Sequence, residues 1–207
     1  MRLVRLQIFP RGERGWASEA LTFGKDVTQL FGPNGCGKSP LIKAIMYCLG
    51  YPSKFRDDIL ENCRCAELEF EVECGRYIAR RAFKEGVDIE LADPDGATHE
   101  FSNELDYSKY IFGLLGLEMP ILVSGDEKKA ANPYLSTLLP IYYLDQEEGY
   151  RRFYSPAASF IKDQLSETIR IILGIPPKNA FNAKKRLIEA KRELELRDKH
   201  VYTLKKD

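Results

Sequence analysis

Long apolar segments are missing from this 207-residue chain, in which no apolar run approaches the length that crosses a membrane. The opening stretch, MRLVRLQIFP, is too short and too charged for a secretory signal peptide. A disulfide framework is missing as well, because the five cysteines are an odd number. We therefore expect a protein without a membrane partner, located in a reducing cytoplasm.

An excess of charge of one sign is also missing, since 31 Lys and Arg balance 31 Asp and Glu. The net charge therefore gives no general indication of nucleic-acid binding. The charges are unevenly placed: acids outnumber bases from residue 85 to residue 148, and bases outnumber acids from residue 178 onward. The basic segment could contact phosphates, or it could be a solvated helix face. With 44% apolar and 30% charged residues, the composition is typical of a soluble globular protein.

A glycine-rich loop is present in the segment LFGPNGCGKSPLIKAI, residues 30–45. Glycines let a backbone curl closely around phosphates, and the N–H groups of such a loop form an anion-binding nest at the start of a helix. The lysine of this pattern reaches the β- and γ-phosphates, and the serine after it offers its hydroxyl to Mg²⁺. The pattern predicts a nucleoside triphosphate site made of Gly32, Pro33, Asn34, Gly35, Cys36, Gly37, Lys38, Ser39 and Pro40.

The flanks of this loop have the periodicities that the pattern requires. Residues 27–31 are a short, β-favouring apolar run, which predicts a strand before the loop. Apolar residues at helical spacing follow the loop as far as Leu49, and Gly50 predicts the end of that helix. Pro40 falls in the first helical turn, where a missing N–H costs little.

The rest of the chain predicts a mixed α/β fold with an antiparallel meander. Half-buried strands are expected over residues 2–9, 20–23, 66–73, 77–83 and 87–91. The meander should have one wet, acidic face, because residues 66–73 alternate apolar residues with glutamates. Helices are expected over residues 103–115 and 157–173. Cys63, Cys65 and Cys74 match no common zinc spacing and are interpreted as ordinary strand cysteines.

The last segment has a seven-residue repeat. Ala180, Leu187, Leu194 and Val201 recur at one heptad position, and a second, mostly apolar series accompanies them among dense charge. Such a seam over about four heptads is typical of a coiled coil, although a single amphipathic surface helix has a similar pattern. We therefore predict a first domain over residues 1–175 and the start of a coiled coil over residues 176–207.

In its order of strands, phosphate loop, meander and coiled-coil exit, the chain resembles the N-terminal half of an ATPase head of the SMC (structural maintenance of chromosomes) family and of its DNA-repair and anti-plasmid or anti-phage relatives. The resemblance implies an ABC-class P-loop NTPase lobe that binds ATP and Mg²⁺, with residues 32–39 as its Walker A loop. It also implies a C-terminal lobe of the same ATPase and a second head as partners, DNA as the target, and an accessory or effector subunit. In a bacterium, the expected location would be the nucleoid.

By the same resemblance, Lys38 and Gln146 are the catalytic candidates, and Ser39 and Gln146 are the candidate Mg²⁺ ligands. Gln146 lies in YYLDQEEGY, which is similar to the family's Q-loop. Arg11 is the arginine expected near the nucleotide phosphates, and Arg14 is its alternative. Lys54 or Arg56 could face DNA or the partner head, or could belong to a solvated loop.

Two further interpretations stay open. In the first, the chain is a self-contained small P-loop NTPase, with Asp145 as its Walker B aspartate and Glu147 or Glu148 as the polarising residue. In the second, it is a nucleotide-gated interaction module that recruits a partner through its coiled coil. The sequence has no Leu-Ser-Gly-Gly-Gln signature and no Walker B pair after the heptads, which favours a half-site. We expect the natural chain to continue past Asp207.

Overall fold

The computed structural model describes residues 1–144 and 152–204. The chain forms two compact units, the first from residues 1–118 and 134–157 and the second from residues 119–133 and 158–207. Each unit therefore draws on two separate stretches of chain. The predicted division of the chain after residue 175 stays a prediction.

The first unit contains a six-stranded sheet in the order β2-β1-β3-β4-β5-β6, in which all neighbouring strands are antiparallel. The strands are β1 Arg2–Pro10, β2 Leu21–Thr22, β3 Cys63–Val72, β4 Gly75–Ala82, β5 Ile89–Ala92 and β6 Thr98–Phe101. The predicted meander is confirmed, together with the two strands that precede the phosphate loop at residues 2–9 and 20–23. The short strand β6 was not predicted, since Thr98–Phe101 has no run of apolar residues.

Helices cover this sheet or connect its strands. They are α1 Lys38–Cys48, α2 Asp57–Asn62, α3 Glu104–Leu114 and α4 Leu135–Leu138, the last of which continues into a 3₁₀ turn at Leu139–Ile141. The predicted helix after the loop is confirmed, with Pro40 in its first turn. The predicted helix near residue 103 is confirmed as well. Asn103 caps that helix by accepting a hydrogen bond from the Asp106 N–H at 2.9 Å.

The core lies between one face of the sheet and the helices α1 and α3. Leu6, Leu68, Ala79 and Leu91 are paired across successive strands, and each is fully buried. Helix α1 contacts β3 and β4 through its buried C-terminal half. The buried Tyr107 of α3 donates a hydrogen bond to the Cys48 carbonyl at 2.9 Å, which joins the two helices. This packing fixes α1, and with it the loop that precedes it.

The opposite face of the sheet is charged and partly exposed, but arginines pair with its glutamates, so the expectation of an acidic face was wrong. Glu67 is only 7% exposed, because arginines from both neighbouring strands cover it. Its carboxylate accepts hydrogen bonds from Arg5 at 3.2 Å and from Arg80 at 2.8 Å. Glu69 is bound in the same way by Arg5 and Arg76. The alternation of residues was predicted correctly, but not the cations that neutralise its acids.

The predicted strand over residues 27–31 does not form. This segment has no strand partner among the described residues, and Val27 and Phe31 are 84% and 95% exposed. A β-favouring run stays irregular when no neighbouring strand accepts its backbone hydrogen bonds. Further along the chain, α4 and the 3₁₀ turn occupy residues 135–141, which precede the alternative Walker B residue Asp145.

The second unit contains a two-stranded sheet and two helices. They are β7 Leu122–Val123, β8 Ala130–Ala131, α5 Gln164–Ile172 and α6 Phe181–Leu204. The prediction that a helix covers residues 157–173 is wrong in its first half. There the Gln164 side chain accepts hydrogen bonds from the N–H groups of Phe160 and Ile161, and Asp163 has a left-handed φ of 51°. These contacts hold the segment in an irregular form until α5 begins.

The heptad segment forms the continuous helix α6. Leu187 and Leu194, on its predicted seam, are 55% and 61% exposed. The helix is confirmed, and its pairing as a coiled coil stays a prediction. Over the described ranges, no helix combines the length and the apolar character that crossing a membrane requires.

Candidate functional site

The glycine-rich loop leads directly into α1 and takes conformations that suit glycine. Gly35 has a φ of 83°, and Gly37, the N-cap residue of α1, has a φ of 91°. Both values lie in the left-handed region, which residues with a Cβ rarely adopt. Since Gly37 has no side chain to cap the helix, the positive end of the α1 dipole faces the loop without a competing side-chain acceptor. This is the geometry of an anion-binding helix start.

Lys38, the first residue of α1, folds back over the loop. Its ammonium donates hydrogen bonds to the carbonyls of Gly32 and Pro33, both at 2.7 Å, and lies 3.7 Å from the Cys36 sulfur. A Cβ on Gly32 would lie 2.8 Å from that sulfur, so a side chain at this position would require the Cys36 side chain to move. The lysine is thus held against the inner side of the loop, where phosphate oxygens could replace the carbonyls as its acceptors.

A cavity of about 450 Å³ opens beside the loop. Gly35, Cys36, Gly37 and Pro40 line one side of it. Its other walls come from β1, from the loop after β1, from the segment around α2 and from the end of β4. Its volume is within the range of small-molecule sites, which bury most of a ligand's surface.

Aromatic rings give the cavity a firm wall. Phe55 and Phe83 line it and pack edge to face, with their centroids 4.9 Å apart. Tyr47 of α1 stacks behind Phe83 at 5.6 Å, and its hydroxyl donates to the Ala82 carbonyl at 2.7 Å. The buried Arg81 lies over the Tyr47 ring at 3.8 Å and donates to the Tyr47 carbonyl at 2.7 Å. These contacts join α1 to β4 and hold the wall in place.

Polar groups at the cavity are few. Asp58 pairs with Arg56 through one carboxylate oxygen, while its Oδ1 is buried and has no hydrogen-bond partner among the described residues. A buried acceptor in this state can be satisfied by a ligand donor. Cys63, also in the wall, is buried, and this burial raises the pKa of its thiol. Cys36 is exposed on the loop.

The two candidate arginines lie near the cavity without lining it. The Arg11 guanidinium donates to the carbonyl of Phe83 at 3.3 Å, and the Arg11 backbone N–H donates to the Asn62 carbonyl at 2.9 Å. Arg14 is exposed in the same loop. The structure therefore places Arg11 next to a residue of the cavity wall, and its contact with phosphates stays a prediction.

The predicted site residues are brought together in part. The loop from Gly32 to Pro40 surrounds Lys38, and Ser39 follows it in the first turn of α1. Gln146 lies outside the described residues, as do Asp145, Glu147 and Glu148. Over residues 1–144 and 152–204, no three His, Cys, Asp or Glu side chains form a group that could hold a metal ion.

Sequence reasoning missed the cavity wall. Trp16, the single tryptophan, lines the cavity and is 48% exposed. A half-exposed tryptophan in a turn-rich loop is a signal that could have been used, because such side chains are enriched at binding surfaces. Phe55 and Phe83 gave no comparable signal, since only the packing of α1 on β4 brings them together.

Comparison with known families supports a nucleotide site. Residues 11–206 match the family model AAA_23, described as an AAA domain. No curated protein matches the chain. The match includes the whole glycine-rich loop and every residue of the cavity wall except Ile8.

Proposed function

Because the chain belongs to the AAA_23 family of AAA domains, which are P-loop ATPases, we propose that it is the ATP-binding N-terminal lobe of an SMC-like ATPase that dimerises on ATP and acts on DNA. One observation carries the proposal: the loop from Gly32 to Ser39 folds around Lys38 at the start of α1, beside a cavity of about 450 Å³. A nucleotide requires hydrogen-bond donors for its phosphates at one end and an apolar or aromatic cavity for its base at the other.

The triphosphate end would bind to the loop. Backbone N–H groups and the positive end of α1 would receive the phosphates, and Lys38 would exchange its two carbonyl acceptors for β- and γ-phosphate oxygens. The missing side chain at Gly32 keeps this cradle open. Mg²⁺, when bound, neutralises phosphate charge, and Ser39 and Gln146 are its proposed ligands.

The nucleoside end would occupy the aromatic cavity. Phe55 and Trp16 offer apolar surface there, and the buried Asp58 Oδ1 offers an acceptor to a hydroxyl or amino group of the nucleoside. Asp58 lies nineteen residues after Ser39 in the sequence, so only the fold brings the nucleoside end and the phosphate end of the site together.

Hydrolysis needs more than this chain supplies. Phosphoryl transfer requires charge neutralisation, an aligned water and a group that polarises it. Lys38, Ser39 and Mg²⁺ would provide the first, and Gln146 would contribute to the second. We propose that the remaining groups come from a C-terminal lobe and from a second head. The exposed apolar residues Val27 and Phe31, in a β-favouring run without a strand partner in the described unit, support a missing partner lobe.

The self-contained NTPase finds less support. A Walker B aspartate follows a buried strand, whereas the described residues before Asp145 form α4 and a 3₁₀ turn. The remaining interpretation, a nucleotide-gated interaction module, requires nucleotide binding, whereas turnover would be incidental. In that case Lys38→Ala would abolish partner binding, and Gln146→Ala would leave it unchanged.

The test is ATP affinity and ATP turnover of the chain alone, by calorimetry and phosphate release. We expect binding with little turnover, and a loss of affinity of about tenfold to a hundredfold in Lys38→Ala, because a charge-assisted hydrogen bond to phosphate is removed. Lys25→Ala, at an exposed position outside the loop, is the control and should bind as the parent does. Brisk turnover that is lost in both Lys38→Ala and Asp145→Asn would contradict the half-site and favour the self-contained enzyme.

A further inference from the structure

A second cavity, of about 430 Å³, lies in the first unit and shares no lining residue with the cavity beside the phosphate loop. Its described lining includes three cationic side chains and three aromatic rings. They are Lys43, Lys54, Arg152, Tyr51, Tyr143 and Phe153. We call it the basic aromatic cavity. The proposed nucleotide site makes no use of it.

The charged groups in the described lining of this cavity have one sign. None of its described lining residues is acidic, and none of its three cations forms an ion pair with a residue in the described ranges. On the charged face of the sheet, by contrast, Arg5 and Arg80 are paired with glutamates. Cations that converge on a concave surface without counterions attract anions, and the concavity focuses their field.

The rings give the cavity flat apolar surfaces. Phe153 is 69% exposed. The Tyr51 and Tyr143 rings are 6.2 Å apart at an angle of 58°, and the Tyr51 hydroxyl donates to the Ser155 carbonyl at 3.1 Å. Tyr51 is therefore fixed in place, while the face of Phe153 is open to a planar ligand.

One lining residue of the cavity, Lys43, lies on the helix that follows the phosphate loop. Lys43 follows Lys38 by five residues in α1, which is about 7.5 Å along a helix axis. The Ser53 hydroxyl donates to the Lys43 carbonyl at 3.3 Å and ties the segment after α1 to the helix. Lys43 is thus presented by a helix whose C-terminal half is buried in the core.

We propose that the basic aromatic cavity binds single-stranded nucleic acid, with backbone phosphates at Lys43, Lys54 and Arg152 and an unstacked base against Phe153 and Tyr51. Cations that follow a backbone, combined with rings on which bases stack, are the features of single-strand sites. A duplex keeps its base faces stacked and could not use the rings. The inference deepens the proposed action on DNA, but it requires neither ATP binding nor a second head.

The test is fluorescence anisotropy of a labelled oligothymidine of about 12 nucleotides with the whole chain, without ATP, from about 50 to 200 mM salt. The triple variant Lys43→Gln/Lys54→Gln/Arg152→Gln should bind the oligonucleotide at least about tenfold more weakly. The slope of log K against log salt concentration should fall in magnitude by about 2, since each phosphate contact on a single strand contributes about 0.7. The control, Lys25→Gln/Arg64→Gln/Lys109→Gln, changes the net charge equally at exposed positions and should retain affinity and slope.

A second pair of variants tests stacking. Phe153→Ala and Phe153→Leu should both lower affinity by about fivefold to a hundredfold, because leucine keeps apolar bulk but has no ring. An oligonucleotide that carries 2-aminopurine should lose its fluorescence quenching in both variants. Each variant is shown to be folded by an unchanged circular dichroism spectrum and an unchanged midpoint of urea unfolding.

Four outcomes would overturn the proposal. The control triple could lose as much affinity as the cavity triple, which would indicate diffuse charge. A duplex of equal length could bind as tightly as the single strand. Thymidine monophosphate could displace the labelled oligothymidine as effectively as unlabelled oligothymidine does at an equal concentration of nucleotide residues, which would make this a mononucleotide site. A polyglutamate peptide could bind with the same dependence on the three cations, which would indicate an acidic protein partner. In Lys38→Ala the oligonucleotide affinity should be unchanged, so failure of the nucleotide proposal remains distinguishable.

Discussion

Individual charges decide the nature of the exposed sheet face. Glu67 and Glu69 of β3 alternate with apolar residues, and the sequence pattern predicted that they would point to water. The partners of Glu67, Arg5 and Arg80, lie 62 and 13 residues away from it in the chain. No local pattern indicates which cation will lie opposite which acid, because strand order and register determine this. The identity of the face was therefore not predictable without the sheet topology.

Glu67→Gln should destabilise the first unit. Its carboxylate is nearly buried and accepts charge-assisted hydrogen bonds from Arg5 and Arg80. We expect the free energy of unfolding to fall by about 1–3 kcal/mol, the usual contribution of hydrogen bonds to a charged group, because the partly exposed arginines can turn to water. Urea unfolding measures the loss. Glu71→Gln removes the more exposed carboxylate beside Arg2 and is the control. An equal loss in both variants would contradict the argument.

Glu127 should titrate well below the usual range of a glutamate. Hydrogen bonds from Lys162 and Lys184 lower the pKa of its carboxyl from 4.5 to about 2. Because the pKa is lower in the folded state, the contribution to stability is fully present above about pH 4.5 and is lost as the pH falls to about 2. Carbon-detected NMR of this carboxyl measures the midpoint directly.

The same ion pairs predict the behaviour of two variants. Glu127→Gln should be less stable than the parent near neutral pH, and the difference should vanish toward pH 2. Glu189→Gln, at an exposed position of α6, makes the same change of side chain away from Lys162 and Lys184 and is the control. A midpoint of the Glu127 carboxyl near 4.5 would mean that the lysines do not hold it.

At the scale of elements, the phosphate loop depends on the backbone of Gly37. Its φ of 91° would strain any residue with a Cβ, although no atom lies within 4 Å of the added carbon. Gly37→Ala should therefore weaken ATP binding by about fivefold to thirtyfold, since the left-handed conformation costs about 1–2 kcal/mol. Titration calorimetry measures the affinity.

Gly113→Ala in α3 is the matched control for this change. Gly113 also has no atom within 4 Å of a built Cβ, but it has a helical conformation without a positive φ. The variant should bind ATP as the parent does and should gain about 0.5–1 kcal/mol in stability. If both alanine variants bound ATP normally, the loop geometry would not be required for the nucleotide.

Elements with strong local signals were predictable, and elements that depend on tertiary contacts were not. The alternation in β3 and the helical pattern over residues 103–115 are local signals, and the strand and the helix that they predict are confirmed. Residues 27–31 have strand propensity but no partner strand in the described unit. The start of α5 was placed too early, because the Gln164 side chain holds the preceding segment in another conformation. The phosphate loop was predictable from its glycines and lysine, whereas its aromatic wall required the fold.

At the scale of the whole molecule, each compact unit is formed by two stretches of chain that are separated in the sequence. The first unit combines residues 1–118 with residues 134–157, and the second takes the chain between them together with the C-terminal helix. A reading of composition along the chain cannot detect such interleaving, because each stretch has an ordinary globular composition. The basic aromatic cavity shows the same effect, since Lys54 and Arg152 become neighbours only in the folded unit.

The seam of α6 predicts how whole molecules associate. Leu187 and Leu194 are 55% and 61% exposed, so they contribute little to the fold of the chain that carries them. Leu187→Glu/Leu194→Glu should change the free energy of unfolding by less than about 0.5 kcal/mol, the usual range for surface positions. It should nevertheless abolish concentration-dependent association, because charges at a coiled-coil seam repel and cannot be buried.

Sedimentation equilibrium of the two proteins over a range of concentrations separates these effects. Asn182→Glu/Lys185→Gln changes the net charge by the same amount at exposed positions off the seam, and it should associate as the parent does. The prediction of a coiled-coil seam would be contradicted if the parent chain stayed monomeric at every concentration. It would also be contradicted if the double glutamate variant still associated. A large loss of stability in that variant would show instead that the leucines pack within their own chain. If the expected result is obtained, α6 is a helix whose apolar seam is completed by another helix, as the proposed SMC-like head requires.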